Sequence, residues 1–178
     1  FPKRLESKYD DFNAGHSSTS ISAAFGIAQA KLLKGDQSYT VAVIGDGSLT
    51  GGMAYEGLNN AGRFKKNFIV VLNDNKMSIS KNVGAMARYL SSVRVKPWYI
   101  RLKKKVEHLL LHTPLIGKPI KSFLHGSKSK IKNMIYKNTI FDFLGFTYLG
   151  PIDGHNLEEL KNGLNVAKSI NSPVLIHV

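Results

Sequence analysis

Two short apolar runs, "TVAVIG" at 40–45 and "NFIVVLN" at 67–73, constrain this chain more than anything else in it. Both are rich in β-branched residues and nearly continuous in hydrophobicity. A strand with one wet face alternates with a period of two, whereas a strand covered on both faces need not. Between the runs lies "GGMAYEGLNNAGRF", where Met53, Ala54, Leu58, Ala61 and Phe64 recur near helical spacing and Gly62 offers a stop. Strand, glycine-rich turn, helix and strand within about 30 residues make a βαβ unit, right-handed in nearly all proteins.

The same alternation returns at both ends of the chain. "HSSTSISAAFGIAQAKLLKG" reads as a helix with Ser and Thr at its start, small and apolar residues from Ala23 to Leu33, and Gly35 as its C-terminal cap. Downstream, "FTYLGPIDG" (146–154) reads as a strand and "NLEELKNGLNVAKSI" as an amphipathic helix. That helix has acids in its first turns and Lys168 in its last, in accord with the helix dipole. "PVLIHV" closes the chain as another buried strand. These elements predict an α/β fold: a doubly wound, mostly parallel sheet with helices on both faces.

At 178 residues and 43% hydrophobic, the chain suffices for one domain with a sizeable core. We expect a single domain over 1–178 that carries an insertion at about 84–140. There "PWYIRLKKKVEHLLL" is a fair amphipathic helix, and Pro114, Gly117, Pro119 and Gly126 then break the pattern. The opening "FPKRLESKYDD" has neither an initiator Met nor the apolar segment of a signal peptide, and the end falls inside an apparent strand. Both features predict a fragment of a longer protein. No run approaches the roughly 18 apolar residues of a membrane span. With no cysteine, disulfides, thiolate metal sites and Cys nucleophiles are excluded, and an intracellular setting is favoured.

The net charge of +13 puts nucleic acid forward as a partner. The charge is concentrated, however: from Arg94 to Lys137 there are twelve Lys and Arg against one acid, Glu107. Lys103, Lys104 and Lys105 share a helix with an apolar face, which fits snorkelling on a solvated surface. Aromatics do not interleave there, so no nucleic-acid partner is expected.

"IGDGSLTGG" follows the first apolar run, where a parallel strand hands over to a helix and backbone N–H groups favour anions. Thr50 stands where a dinucleotide fingerprint needs its third Gly, and no Gly-Lys-Ser/Thr occurs. What remains is a carboxylate, Asp46, between two glycines. It would repel a bare phosphate unless a divalent cation bridged them; alternatively it is a helix cap in a plain turn. "NDNKMSIS" ends the second run, and consecutive parallel strands commonly pair at about 4.8 Å, so its polar groups emerge beside Asp46. Mg²⁺ takes hard oxygens in an octahedron, often one or two from protein and the rest from phosphates and water. Asp46, the Asn75 carboxamide and the Met77 backbone carbonyl are the candidate metal ligands, with an Asx-turn as the plain alternative.

The spacing from GDG to NDN resembles the thiamine diphosphate motif of transketolase-like enzymes. Four blocks in order, "AGHSSTSIS", "VAVIGDGSLTGGMAYEGLNNAG", "VLNDNKMSISKNVGA" and "LGFTYLGPIDGHN", resemble the 1-deoxy-D-xylulose-5-phosphate synthase family. The likeness runs from about residue 7 to the end and is weakest over 94–137. It implies the cofactor-binding part of a thiamine diphosphate-dependent transferase. That enzyme joins pyruvate to D-glyceraldehyde 3-phosphate with loss of CO₂, for isoprenoid, thiamine and pyridoxal phosphate synthesis. A transketolase or another thiamine diphosphate enzyme is the alternative.

The resemblance further implies that Asp46, Asn75 and Met77 bind Mg²⁺, that Gly47 and Ser48 meet the diphosphate, and that Gly15, His16 and Ser17 line the cofactor. Asn75 also touches the cofactor, with Ile79 as apolar support. Position 48 is often Ala in relatives, and a backbone N–H serves equally well. His16 is the candidate catalytic residue, placing substrate or moving protons, or else it only enters the helix. "DGHN" turns the chain into the next helix, with Asn156 capping. Glu56 lies on the diphosphate-side helix, and Glu158 and Glu159 on a surface helix. The glutamate that activates the cofactor is therefore expected outside this chain. The family also implies a homodimer, in a bacterial cytoplasm or, in a eukaryote, a plastid.

Overall fold

The computed structural model describes residues 2–64, 67–75, 84–93 and 139–178. The chain divides into two compact units, one of Phe1–Tyr89 with Ile140–Val178, the other Leu90–Thr139. The basic run 94–137 and the helix expected within it lie outside the described residues.

In the first unit the four strands are β1 (Thr40–Gly45), β2 (Phe68–Asn73), β3 (Thr147–Leu149) and β4 (Val174–His177). They form one sheet in the order β1-β2-β4-β3, every pair parallel. The apolar runs account for this arrangement, since β2 and β4 occupy the middle and are buried on both faces. Helix α1 (Ser20–Leu33), the short α2 (Asp46–Leu49) and α3 (Gly52–Ala61) follow in chain order around β1. Next come α4 (Ala85–Val93), α5 (Ile140–Phe143) and α6 (Leu157–Lys168).

Alternation along β2 sends Phe68 and Ile69 to opposite faces of the sheet. On one face Phe25 of α1, Phe64 and Phe68 meet edge to face at 5.7–6.4 Å, and Phe146 extends the cluster. On the other, Ile69, Val174 and Ile176 pack with Ala167 of α6 and Leu164. Helices thus cover both faces, as the alternation of elements predicts.

Some local expectations need correction. Thr19 precedes α1 but its side chain caps nothing; its hydroxyl donates back to the His16 carbonyl at 3.0 Å. The helix buries only Ile21, Ala24 and Ala28, while Leu33 is exposed. Gly35 acts as expected, with φ +72 and a closing bond from Asp36 N–H to the Lys31 carbonyl at 2.9 Å. Gly62, by contrast, ends α3 with an ordinary right-handed backbone. It is glycine for space, since a Cβ there would collide with the Leu144 carbonyl. Helix α4 was not anticipated at all: its Tyr89 hydroxyl accepts the Ile140 N–H at 2.7 Å.

Candidate functional site

Register brings the candidates together. Gly45 of β1 lies opposite Asn73 of β2, so the next residues, Asp46 and Asp74, leave the sheet at the same edge. Asp46 opens α2 and is 3% exposed; it does not cap, because the cap position belongs to Gly45. Asp46 and Asp74 thus stand as neighbouring carboxyl groups at that edge. Burial, the largest influence, pushes the Asp46 carboxyl above its ordinary 3.8; the Gly47 N–H opposes this, and the charge of Asp74 adds to it.

Strand β4 supplies a third group. His177 pairs in register with Leu72, Val178 N–H donates to the Leu72 carbonyl, and Asp74 N–H donates to the Val178 carbonyl, both at 2.8 Å. The His177 ring is thereby set against Asp74, with Nε2 3.0 Å from Oδ2 and side-chain exposures of 1% and 4%. Its Nδ1 lies 2.7 Å from the Tyr148 hydroxyl of β3. One neutral tautomer satisfies both contacts: Tyr148 O–H donates to Nδ1, and Nε2–H donates to the Asp74 carboxylate.

The glycine–histidine segment reaches this edge through Ser18. Its hydroxyl donates to the Ser48 carbonyl of α2 at 2.6 Å, tying residues 15–18 to the GDGS turn. Gly15, His16 and Ser17 are exposed, and Gly47 and Ser48 are half-buried. Thr50 Oγ1 donates to the Gly47 carbonyl at 2.7 Å and shapes the turn. Asn75 is exposed beside Asp74; Met77 and Ile79 lie outside the described residues. Glu56, Glu158 and Glu159 are all exposed. As anticipated, the Asn156 side chain accepts the Glu158 and Glu159 N–H groups, at 3.1 and 3.2 Å, and caps α6.

The donor set suits a hard divalent cation. It consists of a buried carboxylate hindered from ionising, a second carboxylate beside it, and a neighbouring carboxamide. Among the described residues no three His, Cys, Asp or Glu stand together as a metal cage. The protein oxygens described here would thus form part of a coordination shell and leave the rest to a ligand. Sequence reasoning passed over Asp74, His177, Tyr148 and Ser18. One signal was legible, a histidine inside the otherwise apolar "VLIHV".

The parallel sheet flanked by helices is similar in fold to a member of the class of thiamin diphosphate-dependent enzymes. The chain is similar to a solved structure from Mycobacterium smegmatis assigned to that class, with a TM-score of 0.50 and 18% identity, over 91% of this chain and 22% of that one. At that identity the likeness concerns fold alone. A family model described as 1-deoxy-D-xylulose-5-phosphate synthase matches residues 1–178. Over all of its length the chain is 53% identical to the 1-deoxy-D-xylulose-5-phosphate synthases of Clostridium kluyveri and Caldanaerobacter subterraneus, covering 28% and 29% of them. It is 50% identical to that of Alkaliphilus oremlandii, again over the whole chain and 28% of the relative. The chain belongs to the 1-deoxy-D-xylulose-5-phosphate synthase family. The family match favours this assignment over a transketolase. No helix among the described residues is long and apolar enough to cross a membrane.

Proposed function

We propose that this chain is the cofactor-binding part of a synthase that condenses pyruvate with D-glyceraldehyde 3-phosphate to 1-deoxy-D-xylulose 5-phosphate and CO₂. On this reading residues 1–178 are one thiamine diphosphate- and Mg²⁺-binding domain, with its insertion, of a cytoplasmic homodimer. The observation that carries the reading is the buried Asp46 at the end of β1, beside Asp74 at the end of β2, in a chain matched throughout by the family.

The roles follow from the donor types. The Asp46 carboxylate, the Asn75 carboxamide oxygen and the Met77 backbone carbonyl would hold Mg²⁺. Gly47 and Ser48 approach the diphosphate with little side-chain bulk between, and Ser18 secures that turn from the other side. Gly15, His16 and Ser17 line the cofactor, His16 with an exposed imidazole able to orient a carboxylate or carry a proton. Ile79 gives apolar support. Thiamine diphosphate, once bound, would supply a nucleophilic carbon and an electron sink for decarboxylation. The activating glutamate and the groups for the second substrate's phosphate belong to the rest of the protein.

The test is calorimetric titration of thiamine diphosphate into the full-length protein, with Mg²⁺ and then with EDTA, alongside Asp46→Ala. The expected result is binding that requires Mg²⁺ and vanishes in the variant. Binding indifferent to both EDTA and the substitution would overturn the metal assignment, and no binding by the folded wild type would overturn the cofactor reading.

A further inference from the structure

We propose that His177 is a positioning residue for the metal-binding carboxylate, acting through Asp74 and held in place by Tyr148. The inference rests on the Mg²⁺ reading above and extends it to residues that meet neither metal nor cofactor. Two hydrogen bonds and the strand register connect them: Tyr148 hydroxyl to His177 Nδ1 at 2.7 Å, His177 Nε2 to Asp74 Oδ2 at 3.0 Å, and the β1–β2 pairing that sets Asp74 beside Asp46.

Each member is immobilised by something other than the next. His177 is 1% exposed inside the central strand β4. Its carbonyl accepts the Ile152 N–H at 2.9 Å, and the chain passes so close at Gly150 that a Cβ there would lie 2.6 Å from that carbonyl oxygen. Gly150 also has φ +140, which side-chain-bearing residues rarely adopt. The Tyr148 ring stacks on Phe141 at 5.9 Å and 4°, and Phe141 in turn meets Tyr89 edge-on at 6.2 Å. The hydroxyl that selects the His177 tautomer is therefore itself fixed in space.

Such a chain has a definite consequence for Asp46. A carboxylate that binds a cation must present one oxygen in one direction, and its neighbour Asp74 can turn unless something grips it. A neutral imidazole donating from Nε2 fixes the plane of Asp74, the residue that stands beside Asp46 and immediately precedes Asn75. Any buried imidazole needs a partner on each nitrogen; what reaches beyond packing is that one of these partners is Asp74, beside Asp46 and next to Asn75. Outer-shell partners of this kind typically change metal affinity by roughly 10–100-fold.

The experiment uses the full-length protein and reads Mg²⁺ affinity calorimetrically at saturating thiamine diphosphate, with Mn²⁺ binding by electron paramagnetic resonance as a second readout. His177→Leu, which keeps volume and loses both contacts, should weaken the metal by about 10–100-fold. His177→Gln, which keeps an N–H donor toward Asp74, should restore most of that loss. Tyr148→Phe, which keeps the stack on Phe141, should weaken the metal by up to about tenfold. Long-range ¹H–¹⁵N spectra of wild type should show His177 protonated at Nε2. A His177→Leu protein that folds like wild type and binds Mg²⁺ equally well would overturn the proposal. If that variant does not fold, Tyr148→Phe with unchanged affinity, or a wild-type ring protonated at Nδ1, would overturn it instead. Should wild type itself take up no Mg²⁺, the metal reading fails and this inference with it, an outcome distinct from unaltered variants of a metal-binding wild type.

Discussion

The two ends of the same four strands are built differently. At the amino ends, polar side chains bond mainly to backbone: Lys31 Nζ donates to the Tyr39 carbonyl at 3.2 Å, the Tyr39 hydroxyl to the Lys168 carbonyl at 2.7 Å, and Asn67 Nδ2 to the Gln37 carbonyl. The Thr40 hydroxyl is buried there without a partner among the described residues. At the carboxyl ends Asp74, His177 and Tyr148 bond to one another, side chain to side chain, with Asp46 beside Asp74. Bonds to the chain's own carbonyls close loops and are consumed by folding. Bonds between ionisable side chains hold chemistry in place while leaving an oxygen for something that arrives later. The amino edge is accordingly assigned to stability and the carboxyl edge to binding, and substitutions can separate the two.

The largest effect should come from the shared middle, where neither edge can be spared. Phe68 is 1% exposed and touches Phe25, Phe64 and Phe146. Phe68→Ala should cost about 3–5 kcal/mol in urea unfolding, and cofactor binding should fail together with the fold. A loss of binding without a loss of stability would show that the sheet centre is not common to both ends.

Asp46→Asn should separate them cleanly. Loss of a direct ligand should weaken Mg²⁺ by more than the roughly 10–100-fold expected for an outer-shell partner, while metal-free stability at neutral pH should not fall. The sign follows from the raised pKa of Asp46. Its protonated form is favoured in the folded state, so its stabilising contribution is complete below the ordinary 3.8 and is lost as pH rises through the higher folded value. Metal-free wild type should therefore lose more stability than Asp46→Asn across that rise, and Mg²⁺ should reverse the difference. Melting temperatures measured against pH, with and without Mg²⁺, check this. Parallel profiles for the two proteins would remove burial as the cause.

Much of this division was legible in the sequence, and the unread part has a common cause. The strands at 40–45 and 68–73 follow from unbroken β-branched runs, and Asp46 stands out because an acid is chemically odd between two glycines at a strand end. The Asn156 cap is equally local, a carboxamide two and three residues before the N–H groups it accepts. His177 and Asp74 are 103 residues apart, and only the placement of β4 beside β2 joins them. Strand order depends on which faces the helices cover, and nearest-neighbour patterns carry no record of it. Gly62 ends α3 as expected, but its need for space comes from Leu144, far along the chain, and left no local trace.

The Asn156 cap tests the carboxyl edge from its periphery. Asn156→Ala should cost about 1 kcal/mol by freeing the first turn of α6. Since α6 packs through Ala167 and Leu164 on the face of Ile69 and Ile176, the loss should appear in thermal unfolding. Mg²⁺ affinity should stay at the wild-type value. A drop in affinity would mean that the edge is tensioned by α6 and that the separation of roles is less complete than the hydrogen bonds imply.

The smallest effect belongs to the opposite edge. Asn67 precedes β2, its side chain donates to the Gln37 carbonyl, and its own carbonyl accepts the Thr40 N–H at 2.9 Å. Asn67→Ala removes only the first of these bonds. The group left behind, an exposed loop carbonyl, can turn to water, so the cost should sit at the low end of the usual range, about 0.5 kcal/mol. Backbone pairing of β1 with β2 begins at Thr40 and Phe68 and does not involve that side chain. Denaturant unfolding should therefore register a slight loss while calorimetry with Mg²⁺ and thiamine diphosphate registers none. Were binding to weaken by even a few-fold, the register between β1 and β2 would have shifted, because that register is what sets Asp46 beside Asp74.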